Sequence, residues 1–142
     1  PLIMSSGGNS GSQATSLLIR SLALRELRLR DWWKVALREL PTGMVLGTLL
    51  GALAMTRIVV WQLGGLHDYG EHWLLLAFTV AAALVGIVTF GSLSGSMLPF
   101  LLKRLGFDPA SASAPFVATL VDVTGLVIYF SIAATLLRGT LL

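Results

Sequence analysis

Asp122 is the one acid set well inside an apolar run, the stretch from Ala112 to Leu137. A carboxylate near the centre of a membrane helix costs roughly 2.5–3.5 kcal/mol on insertion scales, so it has to face water, a partner or an ion. Thr119 precedes it by three residues and Ala118 by one turn, on a helical face that continues to Gly125 and Tyr129. Such acids mark ion or proton pathways, or else form hydrogen bonds between helices. Pro115 lacks an N–H, so it either opens this helix as a first-turn proline or weakens the backbone as a kink.

Two other constellations carry less. His67, Asp68, Glu71 and His72 are candidate metal ligands in one short loop, but neither histidine has helical i,i+4 spacing. An ordinary solvated loop is expected, and these residues receive no role. Gly8-Asn9-Ser10-Gly11 matches the Gly-x-Ser-Gly pattern of rhomboid intramembrane proteases. A serine nucleophile needs a base at hydrogen-bond reach. Both histidines fall in the loop, no lysine lies within a full apolar span, and an aspartyl protease would need a second intramembrane acid. The chain is therefore not expected to be an enzyme.

The elements that must position these residues are membrane helices. Hydrophobic residues make up 55% of the chain, only ten Lys or Arg and seven Asp or Glu are present, and the mean hydropathy is +0.82. Too few polar groups remain to cover a soluble domain. With no cysteine, disulfides, thiolate metal sites and cysteine nucleophiles are excluded. The apolar opening Pro1-Leu2-Ile3-Met4 reads as neither a signal peptide nor a natural start, so a piece of a longer protein is expected.

Five segments follow from the hydropathy. Residues 1–27 form the end of a broken helix, interrupted at Gly7-Gly8-Asn9-Ser10-Gly11-Ser12-Gln13. Residues 28–40 form a basic cytoplasmic link, either an interfacial helix or a continuation of its neighbours. Residues 41–63, 73–102 and 112–138 form helices able to span the bilayer. The uncharged run Trp73–Leu102 would be roughly 45 Å long as one helix, against a hydrocarbon core of about 30 Å. A break is expected at Gly91–Ser96, ahead of Pro99. Gly43, Gly47 and Gly51 share a face suited to close packing of another helix, and Gly91 and Gly95 suggest the same.

Basic residues set the orientation. Arg20, Arg25, Arg28, Arg30, Lys34 and Arg38 mark one cytoplasmic link, and Lys103 and Arg104 a second. The loop Gly64–His72 holds Asp68 and Glu71 with no Lys or Arg and is expected outside. Trp61, Tyr69 and Trp73 at the outer end and Trp32 and Trp33 at the inner end suit the headgroup zones.

Two motifs at opposite ends of the chain are familiar. Gly7-Gly8-Asn9-Ser10-Gly11-Ser12-Gln13 resembles the G-G-N-x-G-x-Q motif of the MgtE family of magnesium channels and transporters. Gly106-Phe107-Asp108-Pro109-Ala110, continuing through Pro115-Phe116-Val117-Ala118-Thr119-Leu120-Val121-Asp122, resembles that family's G-x-D-P-A and proline-to-aspartate signature. The resemblance implies an all-α, polytopic helical membrane protein of MgtE type, running from late in the second to the fifth transmembrane helix. It implies a homodimer in the lipid bilayer of the bacterial inner membrane, multi-pass, with no nucleic-acid partner. The transported ion would be Mg²⁺, held by Asp122 and the backbone carbonyl of Ala118. Asn9, Gln13, Pro115 and Thr119 would line the pore, Asn9 and Gln13 from one helical face. Ala114 stands where some relatives carry a polar residue and offers no side-chain ligand. The first helix and the amino-terminal and CBS domains of many members lie outside these residues, so regulation is not read here.

Passage of hydrated Mg²⁺ through a dimeric pore with a central acidic site is the expected function. The competing readings are a proton-coupled carrier of another divalent metal and a non-transporting oligomeric membrane module. The charge pattern makes one direct prediction: a cysteine introduced at Asp68 reacts with an impermeant thiol reagent from outside the cell. Reaction there only from the cytoplasmic side would invert the orientation.

Overall fold

The computed structural model describes residues 2–24, 29–66, 68, 70–108 and 114–138. Arg25, Arg28, His67, Tyr69, Pro109, Ala110 and the expected helix start at residue 112 lie outside the described residues. Four helices account for most of the rest: α1 (Leu2–Ala23), α2 (Trp32–Leu63), α3 (Trp73–Arg104) and α4 (Ala114–Leu137), with a 3-10 turn at Leu29–Asp31 before α2. No strand occurs among the described residues, and the chain is all-α. Helices α2, α3 and α4 are long and apolar enough to cross a membrane.

Helix α3 is the central element and packs against each of the other three. Its Ala83, Leu84, Ile87 and Val88 are buried, and Val117 and Val121 of α4 are buried with them. The glycines of α2 explain the α2–α3 contact. A Cβ added at Gly43 would lie 2.8 Å from Thr89 Cα, and one at Gly47 2.6 Å from Val85 Cα. At Gly51 it would lie 3.1 Å from the Ala81 carbonyl. As one helix number rises by four the other falls by four, which makes the pair antiparallel. The packing role expected for this stripe is what the structure has.

Helices α1 and α3 run parallel and mesh more closely still. A Cβ on Gly91 would strike the Gly7 carbonyl, and one on Gly95 would strike the Gly11 carbonyl. Ser10 Oγ and Ser92 Oγ lie 3.0 Å apart across the same seam.

Two expected breaks are absent. Helix α1 runs unbroken through Gly7–Gln13, and α3 runs as one 32-residue helix through Gly91–Ser96 and Pro99. The small residues that looked like weak points are the seam itself, so interhelical packing offsets their poor propensity. Within α3, Ser94 Oγ donates to the Phe90 carbonyl at 2.7 Å and Ser96 Oγ to the Leu93 carbonyl at 3.0 Å. Pro99 has no N–H to give the carbonyl four residues back, that of Gly95. Thr15 Oγ1 of α1 donates to that carbonyl at 2.8 Å, and Thr15 is fully buried. A hydrogen bond from the neighbouring helix thus replaces the one the proline removes.

Helix α2 begins at Trp32 and passes through Pro41, so residues 32–40 continue the spanning helix rather than lying as a separate interfacial helix. Lys34 pairs with Asp31 at 3.8 Å, and Arg57 stacks over the Trp61 ring at 4.2 Å, near the opposite end. The 3-10 turn packs on α3, and Arg30 and Arg104 line one groove, so the two basic links meet at a single end of the bundle. At the other end Asp68 Oδ1 accepts hydrogen bonds from the Gly70 N–H at 2.8 Å and Gln62 Nε2 at 3.3 Å.

The seam generates a stability prediction. Thr15→Val leaves the Gly95 carbonyl without its donor and should cost roughly 1–3 kcal/mol. Gly95→Leu, which forces α1 and α3 apart, should cost at least as much. Thr48→Val, at an exposed position whose hydroxyl bonds only its own helix, should change little. Denaturant unfolding of the purified full-length protein in detergent measures all three; equal effects at Thr15 and Thr48 would refute the bridging role.

Candidate functional site

The site lies where α1 crosses α4. Gly8 of α1 faces Ala118 and Asp122 of α4: a Cβ at Gly8 would lie 3.2 Å from Asp122 Oδ1 and 3.7 Å from both Cα and Cβ of Ala118. One turn further along α1, Ser12 Oγ donates to the Ala114 carbonyl at 3.0 Å. Position 8 therefore meets 118 and 122 while position 12 meets 114, an antiparallel crossing. Ser12 thus supplies a tie at the first described residue of α4.

The buried side of α4 is Val117, Val121 and Gly125, turned toward the other helices. Asp122, Thr119 and Pro115 are exposed, Asp122 at the edge of the α1 crossing beside Gly8, and Ala118 is half-buried beneath Gly8. Thr119 Oγ1 donates to the Pro115 carbonyl at 3.1 Å, so the hydroxyl is held against its own backbone. Pro115 is the second residue of α4. The residues before Ala114 lie outside the described residues, so the choice between a first-turn proline and a kink is left open.

On α1, Asn9 and Gln13 follow Gly8 and Ser12 by one residue and are both exposed. With Ser5 they form a polar stripe at four-residue spacing, and Asn9 Nδ2 donates to Ser5 Oγ at 3.4 Å. Of the six residues singled out in the sequence, Asn9, Gln13, Thr119 and Asp122 are exposed polar residues on two crossing helices, Pro115 is exposed and apolar, and Ala118 lies with Asp122 at the crossing. Apolar residues flank it, including Phe116, Val123, Val127 and Phe130 on α4 and Leu17 on α1, each more than half exposed. The arrangement is one carboxylate among uncharged amide and hydroxyl groups, a set of hard oxygen donors suited to a hydrated hard cation.

Of the outer-loop residues, Asp68 shapes its own turn with Gly70, and His67 is outside the described residues. Ser10, the serine of the hydrolase-like pattern, sits against Ser92 in the α1–α3 seam. Sequence reasoning missed the parts of Gly8 and Ser12. Both belong to the amino-terminal motif, but nothing in their own type says which helix they meet.

Four helices, three of them long enough to cross a bilayer, and a lone exposed acid on one of these define a multi-pass helical membrane protein. The sequence matches the MgtE family, described as a divalent cation transporter, over residues 1–132. The chain belongs to that family. It is 49% identical over 139 residues to the magnesium transporter MgtE of Thermus thermophilus, covering 98% of this chain and 29% of that protein. It is 37% identical over 137 residues to the protein of the same name from Enterococcus faecalis, covering 96% and 28%. The Bacillus subtilis magnesium transporter MgtE is 32% identical over 139 residues, covering 98% and 29%. The chain thus spans less than a third of the length of these relatives. Its place is the bacterial cell membrane, which it crosses more than once.

The crossing can be tested covalently. The 3.7 Å between a Cβ at position 8 and Ala118 Cβ falls within the range of a disulfide. Gly8→Cys with Ala118→Cys, in a full-length background free of other cysteines, should form an intramolecular disulfide on mild oxidation. Two fragments that stay joined on a non-reducing gel after cleavage in the intervening chain would register it. Separation of the fragments despite a folded protein would mean that α1 and α4 cross elsewhere.

Proposed function

We propose that this chain is the pore-forming part of a magnesium channel or transporter, and that it works as a homodimer with Asp122 from both protomers at the central ion site. The observation that carries the reading is the exposure of Asp122 on a spanning helix, beside the amide stripe of α1. In one chain alone that carboxylate would face lipid, at a cost of roughly 2.5–3.5 kcal/mol. A twofold axis next to it turns the exposed surface into a wet lumen lined by α1 and α4 of both copies. The curated relatives bear the name of magnesium transporters, which supports Mg²⁺ as the transported ion.

The charge balance fits the ion. One carboxylate cannot neutralise a divalent cation, whereas a symmetric pair can, and the attraction is strong where the surroundings are poorly polarisable. Mg²⁺ gives up water reluctantly, so a site of two carboxylates with retained waters suits it better than a cage of protein ligands. The carbonyl of Ala118, Thr119, and the amides of Asn9 and Gln13 then bind the outer waters without trapping the ion. Pro115 lines the entry from the basic end, where positive side chains put the cytoplasm. Gly8 keeps its carboxylate neighbour accessible because it has no side chain to cover it.

Mg²⁺ flux into liposomes containing the complete purified protein tests this. Asp122→Asn keeps size and hydrogen bonding but removes the charge, and should abolish flux while leaving the dimer intact. Asp122→Glu should be impaired, since one methylene moves the carboxylate along the pore. Asp122→Asn that dimerises and carries Mg²⁺ at the parental rate would recast Asp122 as a hydrogen-bonding group between helices. Flux that follows an imposed proton gradient would favour the coupled carrier.

A further inference from the structure

An open groove of about 680 Å³ runs down the basic end of the bundle, and Asp122 is not among the residues that line it. Arg30 of the 3-10 turn and Arg104 at the end of α3 stand at its rim, with Trp32 beside them. Its walls are apolar: Met97 and Leu101 of α3 and Leu120 of α4. Among the described residues the ion pair at this end is Lys34 with Asp31, and neither rim arginine belongs to one.

The groove descends along α3 from Arg104 to Ser94. Ten residues of helix rise about 15 Å, half the roughly 30 Å thickness of a hydrocarbon core. It is therefore one leaflet deep, cationic where the headgroups lie and apolar below. Trp32, half exposed at the rim, has the amphipathic ring that favours that interface. Two guanidinium groups are suited to bidentate contact with a phosphate, and each near a membrane surface favours an anionic lipid.

We propose that this groove binds an anionic phospholipid of the cytoplasmic leaflet, its phosphate between Arg30 and Arg104 and an acyl chain along Met97 and Leu101. A zwitterionic lipid would bring its ammonium toward the same two arginines and loses by the repulsion. The inference requires the membrane orientation but not the identity of the transported ion, so it stands or falls separately from the pore reading.

The test uses the complete protein in phosphatidylcholine vesicles doped with a phosphatidylglycerol that carries a photoactivatable group on its acyl chain. Irradiation should place adducts on the peptide spanning Ser94–Leu101, and unlabelled phosphatidylglycerol should compete them away while added phosphatidylcholine and inorganic phosphate do not. Arg30→Gln with Arg104→Gln should weaken that competition roughly thirtyfold, about fivefold per arginine. Arg30→Lys with Arg104→Lys, which keeps charge but loses the bidentate contact, should fall between. Competition by phosphatidylcholine or by phosphate at the same concentration would overturn the proposal. So would adducts confined to other surfaces, or a groove that cross-links instead to another segment of the same protein or to a second copy. If the glutamine variant does not fold, the comparison of competing lipids on the parental protein alone still decides the matter.

Discussion

The close approach of α1 and α3 at Gly7, Gly11, Gly91 and Gly95 is the contact on which the remaining structure depends. Lipid tails are as apolar as leucine, so helices in a bilayer gain nothing from burying apolar side chains against one another. They associate by fitting closely and by satisfying polar groups, and four glycines in reciprocal register let two backbones touch. Once that seam is set, the rotation of α1 is fixed. Thr15 is turned onto the Gly95 carbonyl, Gly8 and Ser12 are turned onto α4, and Asn9 and Gln13 are turned outward.

That rotation links packing to the site. An α1 free to turn by one residue would bring Asn9 against Asp122, where Gly8 now sits, and the carboxylate would be covered by an amide. The glycine at the crossing instead leaves Asp122 Oδ1 reachable while bringing α1 close enough for its amide stripe to border the same surface. The polar surface is thus made by two helices that are each held from behind: α1 by α3 through glycine, α4 by Val117 and Val121 packed on the core. Support of this kind holds the carboxylate and the amide stripe at fixed places on the two helices.

Much of this was legible in the sequence, and for physical reasons. Membrane insertion is governed by length and hydropathy, so three long apolar helices could be expected where Trp32–Leu63, Trp73–Arg104 and Ala114–Leu137 are found, and the cost of a charge within a membrane helix singled out Asp122. The errors have one origin. Gly7–Gln13 and Gly91–Ser96 looked like breaks because helix propensities describe a helix in water, where glycine and serine expose the backbone. Here those same residues face another helix, which covers the backbone, and the serine hydroxyls bond back to it. Whether a small residue weakens a helix or joins two depends on what lies opposite, and no single segment contains that information. The Gly95–Pro99 spacing does hold a usable signal, since a proline frees the carbonyl four residues earlier and a bilayer demands a donor for it. Thr15, however, lies in another helix and could not have been named.

The two ends of the bundle then divide according to charge. The basic end gathers Arg30, Lys34, Lys103 and Arg104, a surface that repels cations rather than attracting them. Under the proposed function that surface does not draw cations in, and the attraction for Mg²⁺ would come from Asp122. Asp122 lies eight residues beyond Ala114, the first described residue of α4, a rise of roughly 12 Å along the helix. Asp122 is the one charged residue of α4 as described, and Thr119, Asn9 and Gln13, exposed on α4 and α1, are uncharged. The isolation of Asp122 on its face is thus as much a part of the site as the carboxylate itself.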